Sequence, residues 1–244
     1  MITQIKMILE FPNAEEMFAP EWAYRLYAGC LKDVSNAYVE KLHGNATTPV
    51  SQFLKQENSK MVWTVNLLGE EAERNIKPVL LKKDRYDIPK EIRVREKTVK
   101  EIRDVEQLFA MASTLKKHRL DFVTATAFKS RGQYTNLPTI ELCLNNLVRR
   151  WNDCFPECFI EDEDGQGIET LGKGLFCTQY RLHDCRYTMK GNCIYGFCGH
   201  LNIKNNMTGF HKELADALLL FSQYSGIGIK TALGMGGVEH SYVN

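Results

Sequence analysis

Residues 210–243 have the sequence FHKELADALLLFSQYSGIGIKTALGMGGVEHSYV. This stretch predicts a helix, a glycine-rich segment and a strand in immediate succession, and it is the most informative part of the chain about the fold. Residues 210–224 are apolar enough for a buried helix, and residues 238–243 are typical of a closing strand. Between them, five glycines stand among the fourteen residues 224–237. A segment of this kind either provides a tight passage from helix to strand or lets backbone N–H groups approach a phosphate closely.

Two nucleotide-binding motifs are excluded for this glycine-rich segment. A P-loop requires a preceding strand and a glycine directly before its Lys-Thr pair, whereas here Ile229 precedes Lys230 and the preceding element is a helix. A dinucleotide fingerprint would continue Gly226 and Gly228 with a third glycine, but Thr231 occupies that position. A structural passage and a backbone cradle for the phosphates of a nucleic acid both remain open.

Outward from this segment, the sequence predicts the same order of elements twice. In the first half, apolar residues recur at every fourth position between Glu21 and Leu42, which predicts one long helix that ends at His43 and Gly44. The predicted elements of this half are a strand at 2–9, the helix at 21–42, a hairpin at 50–68 with its turn at 57–59, a helical segment at 69–83 that contains Pro78, and a strand at 88–102.

The second half repeats this order after a predicted helical linker at 104–118. Its predicted elements are a strand at 120–130, a helix at 139–152, paired strands at 174–184 and 193–204, a helix at 210–224 and a strand at 238–243. Strand, helix, strand, strand, helix, strand is the βαββαβ order of the ferredoxin-like fold. We therefore predict an α+β protein with two tandem ferredoxin-like (RRM-like) domains, at residues 1–118 and 119–244.

Composition indicates an ordinary globular protein, with 44% hydrophobic and 25% charged residues among 244. No apolar run approaches the roughly 18 residues of a membrane helix, and the N-terminus lacks the long apolar stretch of a signal peptide. We therefore expect a cytoplasmic location and no membrane partner. The eight cysteines lack the close C-x2-C pairs of zinc sites, so we expect reduced thiols, no metal and no cofactor.

The charge distribution permits a polyanionic partner although the net charge is only +1. The segment at 157–164 carries five acidic residues and no Lys or Arg, so the rest of the chain carries +1 − (−5) = +6. Basic residues cluster at four places, namely 82–85, 116–119, 129–131 and 149–150. Each cluster alone is typical of a solvated surface, and together they are compatible with nucleic acid.

Five segments together resemble one family. GIGIKTALGMGG (226–237), placed between an apolar helix and a terminal strand, resembles the C-terminal glycine-rich motif of the CRISPR precursor-RNA endoribonucleases, which belong to the RAMP superfamily. Similar segments are FVTATAFKSRGQYTNLP (122–138), LVRRWND (147–153), YGFCGHLNI (195–203), and KLHG (41–44) followed by PVSQF (49–53). The resemblance covers nearly the whole chain and implies the same pair of ferredoxin-like domains.

The resemblance also implies an activity, which is cleavage of CRISPR precursor RNA within its repeat without a metal ion. In such a reaction the 2′-OH attacks the adjacent phosphate and leaves a 2′,3′-cyclic phosphate and a 5′-OH. The partner implied is the repeat RNA, and further CRISPR subunits or a second copy of the chain are compatible partners. A second hypothesis is a non-catalytic RAMP-type RNA-binding subunit of a CRISPR effector complex, which would need no catalytic base.

Histidine suits either proton transfer in this reaction because its unperturbed pKa lies near ~6.5. Among the six histidines, His43 matches the family's catalytic histidine in context, and a tyrosine of the first helix, Tyr27, is the predicted partner, with Tyr24 and Tyr38 as alternatives. The sequence departs from the family in having no lysine at 44–49. Only Lys55 or Lys60 could then supply one.

The predicted RNA-binding residues belong to the glycine-rich segment and to the basic cluster at 129–131. Glycines leave room for a sugar or phosphate, while lysine and threonine are common phosphate contacts. The predicted set is Gly226, Gly228, Lys230, Thr231, Gly234, Gly236, Lys129 and Arg131. His118, which stands among basic residues, is a further expected phosphate contact.

Overall fold

The computed structural model describes residues 1–11, 19–44, 47–87, 91–113, 117–130 and 132–242. The helices are α1 (Trp22–Leu31), α2 (Asn36–Gly44), α3 (Glu70–Lys82), α4 (Val105–Ala112), α5 (Ile140–Cys154), α6 (Gln166–Gly174) and α7 (Gly209–Ser225). The strands are β1 (Ile2–Glu10), β2 (Val50–Glu57), β3 (Lys60–Leu68), β4 (Arg85–Asp87), β5 (Glu91–Ile102), β6 (His118–Thr126), β7 (Phe128–Ser130), β8 (Gln133–Thr135), β9 (Leu175–Met189), β10 (Asn192–Asn205) and β11 (Val238–Tyr242).

The two halves of the chain each form an antiparallel sheet with the predicted topology. The first sheet has the order β2-β3-β1-β5-β4, and the second has the order β11-β6-β10-β9. Apart from the short edge strand β4, both orders place the first strand between the third and the last, which is the ferredoxin-like arrangement. The prediction of two ferredoxin-like units is confirmed. The exact boundary at 118/119 stays a prediction, and His118 itself is the first residue of β6.

Helices cover one face of each sheet, and the central strands β1 and β6 alternate buried and half-buried positions accordingly. In the first half, Ile5, Met7 and Leu9 of β1 point into a core that also holds residues of α1, α2 and α3. In the second half, α5 and α7 pack on the sheet around Trp151 and Phe221, whose rings meet edge to face at 5.5 Å. Each sheet therefore keeps a second face that its own helices do not cover.

The predicted long helix at 21–42 is wrong in one respect, because the chain turns between α1 and α2 at residues 32–35. Cys30, Val34 and Tyr38 are nevertheless all buried in the same core. Buried apolar residues thus continue at every fourth position across the turn, so their periodicity did not indicate that the helix is interrupted. The predicted end at Gly44 is confirmed.

Two further helical differences concern proline and glycine. α3 continues through Pro78, which lies on the exposed side of the helix where water can satisfy the carbonyl group that lost its partner. α6 was not predicted, because glycine at 167, 172 and 174 lowers helix propensity. The Asp162 carboxylate accepts from Gly167 N at 2.7 Å and Ile168 N at 2.9 Å, so a side chain from outside the helix stabilises its start.

Polar contacts from β2 and β3 join the two halves. Ser51 Oγ donates to the Tyr224 carbonyl oxygen at 2.5 Å, and Gln52 Nε2 donates to the Ala232 carbonyl oxygen at 3.1 Å. Gln52 is fixed in turn because its Oε1 accepts from Trp63 Nε1 at 2.7 Å. The glycine-rich segment is therefore bound to both sheets.

Candidate functional site

His43 lies in the last turn of α2, and its side chain is exposed. Two residues earlier, Lys41 Nζ lies 2.7 Å from both carboxylate oxygens of Glu71 and so ties this turn to the start of α3. Among the described residues, no atom lies within 4 Å of a Cβ placed at Gly44, so none of them fills the space beside this end of α2. An exposed imidazole held at a helix end can reach a substrate and transfer a proton to it.

Tyr27, the predicted partner of His43, is only 4% exposed and belongs to the core of the first half. Its hydroxyl has no hydrogen-bond partner among the described residues, and burial raises the pKa of Tyr27 well above its usual value. Tyr38 is buried in the same core, where burial raises its pKa to about 12. The structure therefore contradicts the idea that the Tyr27 hydroxyl meets a substrate in this conformation.

Tyr24 is the half-buried tyrosine of α1, and it faces the second half of the chain. Lys190, in the turn between β9 and β10, places its ammonium group 5.5 Å from the centre of the Tyr24 ring. Glu21 adds a second link, because its carboxylate accepts from Thr188 N at 3.1 Å. The exposed edge of α1 is therefore joined to the β9–β10 hairpin.

Neither expected lysine stands free beside His43. Lys55 pairs with Glu57 at 3.1 Å and with Glu239 of β11 at 2.5 Å, so it serves as a link between the two sheets. Lys60 is exposed at the turn of the β2–β3 hairpin. Lys55 therefore does not replace the lysine that this sequence lacks directly after His43.

The amides of the glycine-rich segment donate mainly to the protein itself. Gly226 N donates to Ser222 O at 2.8 Å, Gly228 N to Asn146 Oδ1 at 2.9 Å, and Gly236 N to Ala125 O at 3.0 Å. Gly234 N reaches Thr231 O at 3.5 Å. The predicted cradle of free glycine amides is thus wrong for this conformation, since these N–H groups already have acceptors.

The glycines are required instead for conformation and close packing. Gly226, Gly228, Gly234 and Gly236 all have positive φ angles, between +64° and +100°. A Cβ at Gly228 would lie 2.4 Å from Ala127 O, and one at Gly236 would lie 2.1 Å from Ile227 O. Only a residue without a side chain adopts these angles at these distances without strain. The segment is therefore a close-packed passage from α7 to β11.

The non-glycine residues of the segment differ in exposure. Thr231 is 3% exposed, and its methyl group faces Gly226 and Gly236, so the structure does not place it where it could contact RNA. Lys230 is half-buried and adopts a left-handed conformation with φ +55°. Its ammonium group is the cation that this segment brings nearest to solvent.

The second predicted binding cluster lies on the β7–β8 hairpin. Lys129 is exposed and stands opposite Tyr134, which is 61% exposed. A cation beside an exposed aromatic ring suits a single-stranded nucleic acid, which offers phosphates and stacking bases. Arg131, the other predicted member, lies outside the described residues.

His118 does not contact phosphate as expected, because it is completely buried. Its Nε2–H donates to Asp216 Oδ1 at 2.9 Å, and its Nδ1 lies 2.9 Å from His240 Nε2, so the two imidazoles share one proton position. Asn205 Nδ2 donates to the same carboxylate oxygen at 2.6 Å. Burial, together with His118, lowers the pKa of His240 to about 4.

Arg150 of α5 is a buried charge that the sequence patterns did not single out; its side chain is 6% exposed and lines a cavity between the two halves. The sequence did indicate this position, because Arg150 follows Leu147 by three residues and precedes Cys154 by four, which places it on the buried face of α5. A charged residue on the apolar face of a helix needs a partner.

Among the described residues, no group of three or more His, Cys, Asp or Glu could hold a metal ion.

Comparison with known proteins gives a consistent result. Residues 120–238 match the model of the family described as CRISPR-associated endoribonuclease Cas6. A CRISPR-associated endoribonuclease Cas6 of Streptococcus thermophilus is 26% identical over 239 residues, which cover 96% of this chain and 97% of that protein. A protein of the same description from Mycobacterium tuberculosis is 23% identical over 222 residues, covering 88% and 70%.

Solved structures agree in fold. A Cas6 product complex has a TM-score of 0.76 at 19% identity and covers 99% of this chain and 100% of that one. Cas6 of Thermus thermophilus has a TM-score of 0.70 at 20% identity, covering 99% and 98%. At these identities the likeness concerns the fold. No helix in the described part of the chain has the length and hydropathy needed to cross a membrane.

Proposed function

We propose that this chain is a member of the Cas6 family of CRISPR-associated endoribonucleases, and that it binds a repeat of CRISPR precursor RNA and cuts once within it to release crRNA. The match extends over nearly the full length of one named endoribonuclease, so it is not confined to a shared binding module. A purely RNA-binding RAMP subunit is not favoured, because the relatives named above are endoribonucleases.

The reaction is a transesterification that needs no metal ion. A base removes the proton of the 2′-OH, whose oxygen attacks the adjacent phosphorus, while an acid protonates the 5′-oxygen as its bond to phosphorus breaks. The products are a 2′,3′-cyclic phosphate and a 5′-OH. Two proton transfers are required, and imidazole performs either one near neutral pH.

The observation that carries this proposal is the exposed His43 at the end of α2. Lys41 and Glu71 hold the turn that bears it, and none of the described residues fills the space beside Gly44. Tyr27 supports the site through packing, because it is buried beside Cys30 and Leu26 in the core under α1. His43 is thus the residue to which we assign proton transfer.

RNA is held by cations, with the exposed Lys129 and the half-buried Lys230 as phosphate contacts and Arg131 as a proposed third. Gly226, Gly228, Gly234 and Gly236 contribute by fixing the backbone on which Lys230 stands. We place the protein in the cytoplasm with its repeat RNA. Further CRISPR subunits and a second copy of the chain are proposed partners, and a structure described as a partial Cas6-RT-Cas1–Cas2 complex is among those of similar fold.

Two substrates test the chemistry. Purified protein is incubated in excess EDTA with repeat RNA and with the same RNA carrying one 2′-deoxy nucleotide directly 5′ of the scissile phosphate. The unmodified RNA is cut to a cyclic phosphate, and the deoxy RNA is bound but not cut. Cleavage of the deoxy substrate would show that water is the nucleophile. Failure to cut the unmodified RNA in EDTA would show that the reaction depends on a metal ion.

A further inference from the structure

A cavity of about 750 Å³ lies between the two halves of the chain. Its walls are the segment at 47–49, the first turn of α3 at 69–72, residues 103–104 and the end of α5. This volume falls in the range of small-molecule sites and accommodates a nucleotide. The cavity is separate from the glycine-rich segment, none of whose residues lines it.

Arg150 places an incompletely paired cation at the wall of this cavity. Its Nε has no hydrogen-bond partner among the described residues, and its Nη2 makes only long contacts, at 3.5 Å to Thr48 O and 3.4 Å to Val50 O. No carboxylate of the described residues lies within 4 Å to form an ion pair with it. Burial lowers the pKa of Arg150 to about 10, so the group is still charged at neutral pH.

A buried guanidinium with an unsatisfied N–H indicates a missing acceptor. Phosphate is one candidate, since the first turn of α3 also borders the cavity. However, the cavity is lined by more carboxylates than cations: Glu70, Glu71, Asp104, Asp153 and Glu157 against Arg103, Arg150 and the N-terminus at Met1. This excess of carboxylates repels an anion but supplies acceptors for N–H groups.

The walls therefore present a planar, charged donor together with several carboxylate acceptors. Guanine has the complementary edges, with acceptors at O6 and N7 and donors at N1 and N2. Arginine makes its characteristic two-pronged contact with O6 and N7, and carboxylates accept from the opposite edge. Adenine, cytosine and uracil each satisfy only part of this set.

The cavity also lies close to His43 along the chain. Thr47, at its wall, follows His43 by four residues, so their Cα atoms are at most about 14 Å apart. Glu71 lines the cavity and pairs with Lys41, two residues before His43. A base held here belongs to the nucleotides near the reacting phosphate.

We propose that this cavity binds one unpaired guanine base of the RNA substrate, with Arg150 donating to O6 and N7 and Asp153 accepting from the Watson–Crick edge. Arg150 is then a specificity-determining residue. The inference rests on the proposed function in that it assumes single-stranded RNA as the ligand, but it concerns which base is bound and not how the chain is cut.

The test uses fluorescein-labelled oligoribonucleotides and the full chain. The probes are a ten-residue oligouridine and three variants with one central G, A or C, a design in which the strand can shift until the G reaches the cavity. Fluorescence anisotropy should show roughly tenfold tighter binding of the G probe, as expected for one two-pronged arginine contact.

Two neighbouring arginines provide a matched pair of variants. Arg150→Met should abolish the preference for G and leave the affinity for oligouridine unchanged, whereas Arg149→Met, on the exposed side of α5, should keep the preference. Replacing a buried charge by an apolar side chain of similar length is commonly tolerated. Asp153→Asn should also reduce the preference, and it decides the matter if Arg150→Met fails to fold.

Three results would overturn the proposal. They are equal affinity for all four probes, an undiminished preference for G in Arg150→Met, or a rise in Tm with inorganic phosphate that depends on Arg150, which would identify an anion site. Cleavage of repeat RNA by the wild-type protein is measured separately. If the wild-type protein cuts repeat RNA but binds all four probes with equal affinity, the proposed guanine pocket is wrong and the proposed function stands.

Discussion

A Cβ atom at Gly228 would lie 2.4 Å from the carbonyl oxygen of Ala127. Gly228 also has a φ angle of +93°, and Ile229 N donates to the same carbonyl oxygen at 2.9 Å. The glycine thus lets the segment before β11 lie directly on the backbone of Ala127, which links β6 to β7. This contact makes the glycine-rich segment part of the core structure, and it changes what a substitution there should do.

Gly228→Val should therefore lower stability more than it lowers RNA affinity, with an expected loss of about 2–4 kcal/mol from strain and steric overlap. Thermal melts and anisotropy titrations at low temperature measure the two effects. Gly132→Ala is the control, because Gly132 has a φ of +80° but no atom of the described residues lies within 4 Å of its Cβ position. It should cost only about 1 kcal/mol. A Gly228 variant that melts normally but no longer binds RNA would restore the direct-binding role.

Lys230→Ala should weaken binding of all RNAs alike, because a phosphate contact carries no sequence information. For a single strand, the slope of log K against log salt should fall by about 0.7, the value for one lost contact. Lys60→Ala, at the exposed turn between β2 and β3, serves as the comparison. An unchanged salt slope in Lys230→Ala would remove this lysine from the interface.

Tyr27→Phe separates packing from catalysis at the first helix. Its hydroxyl is buried without a hydrogen-bond partner in the described part of the chain, so the variant should be as stable as the wild type or slightly more stable. Cleavage should remain near the wild-type rate, far from the roughly 10²-fold loss that follows removal of a general acid or base. A loss of that size at unchanged Tm would mean that the tyrosine reaches the substrate after a conformational change.

His240 makes stability depend on pH. The folded-state pKa is lowered to about 4, whereas the unfolded chain titrates near ~6.5, so the unfolded state binds more protons between these values. Stability should therefore rise from pH 4 to pH 6.5 and fall on acidification, by at most about 3 kcal/mol from this group. Denaturant titrations of His240→Gln across this window should show a shallower dependence. An identical pH profile would assign the effect to other groups.

The order of elements was predictable because each strand and helix carries its own local pattern. The β2–β3 hairpin turns at Asn58 and Ser59 within the predicted turn, and both have positive φ angles. The turn at 32–35 and helix α6 were not predicted, because the apolar spacing continues across the turn and the glycines at 167, 172 and 174 lower the helix propensity of α6.

The candidate site was only partly predictable for a similar reason. The position of His43 at a helix end follows from Gly44, and its exposure agrees with that prediction. Which face of α1 is buried depends on the whole sheet, and so Tyr27 was assigned a substrate contact although it lies in the core. The buried Arg150 was overlooked within a pair of arginines that also suits a solvated surface.

The assignment of proton transfer to His43 is tested by the single-turnover cleavage rate of repeat RNA in EDTA, compared between wild type and His43→Ala. We expect the substitution to lower the rate by roughly 10²-fold or more and to leave RNA affinity nearly unchanged. His183→Ala, which removes another exposed histidine, on β9, should cleave at the wild-type rate. Wild-type cleavage by His43→Ala would contradict the account, because proton transfer would then belong to another residue.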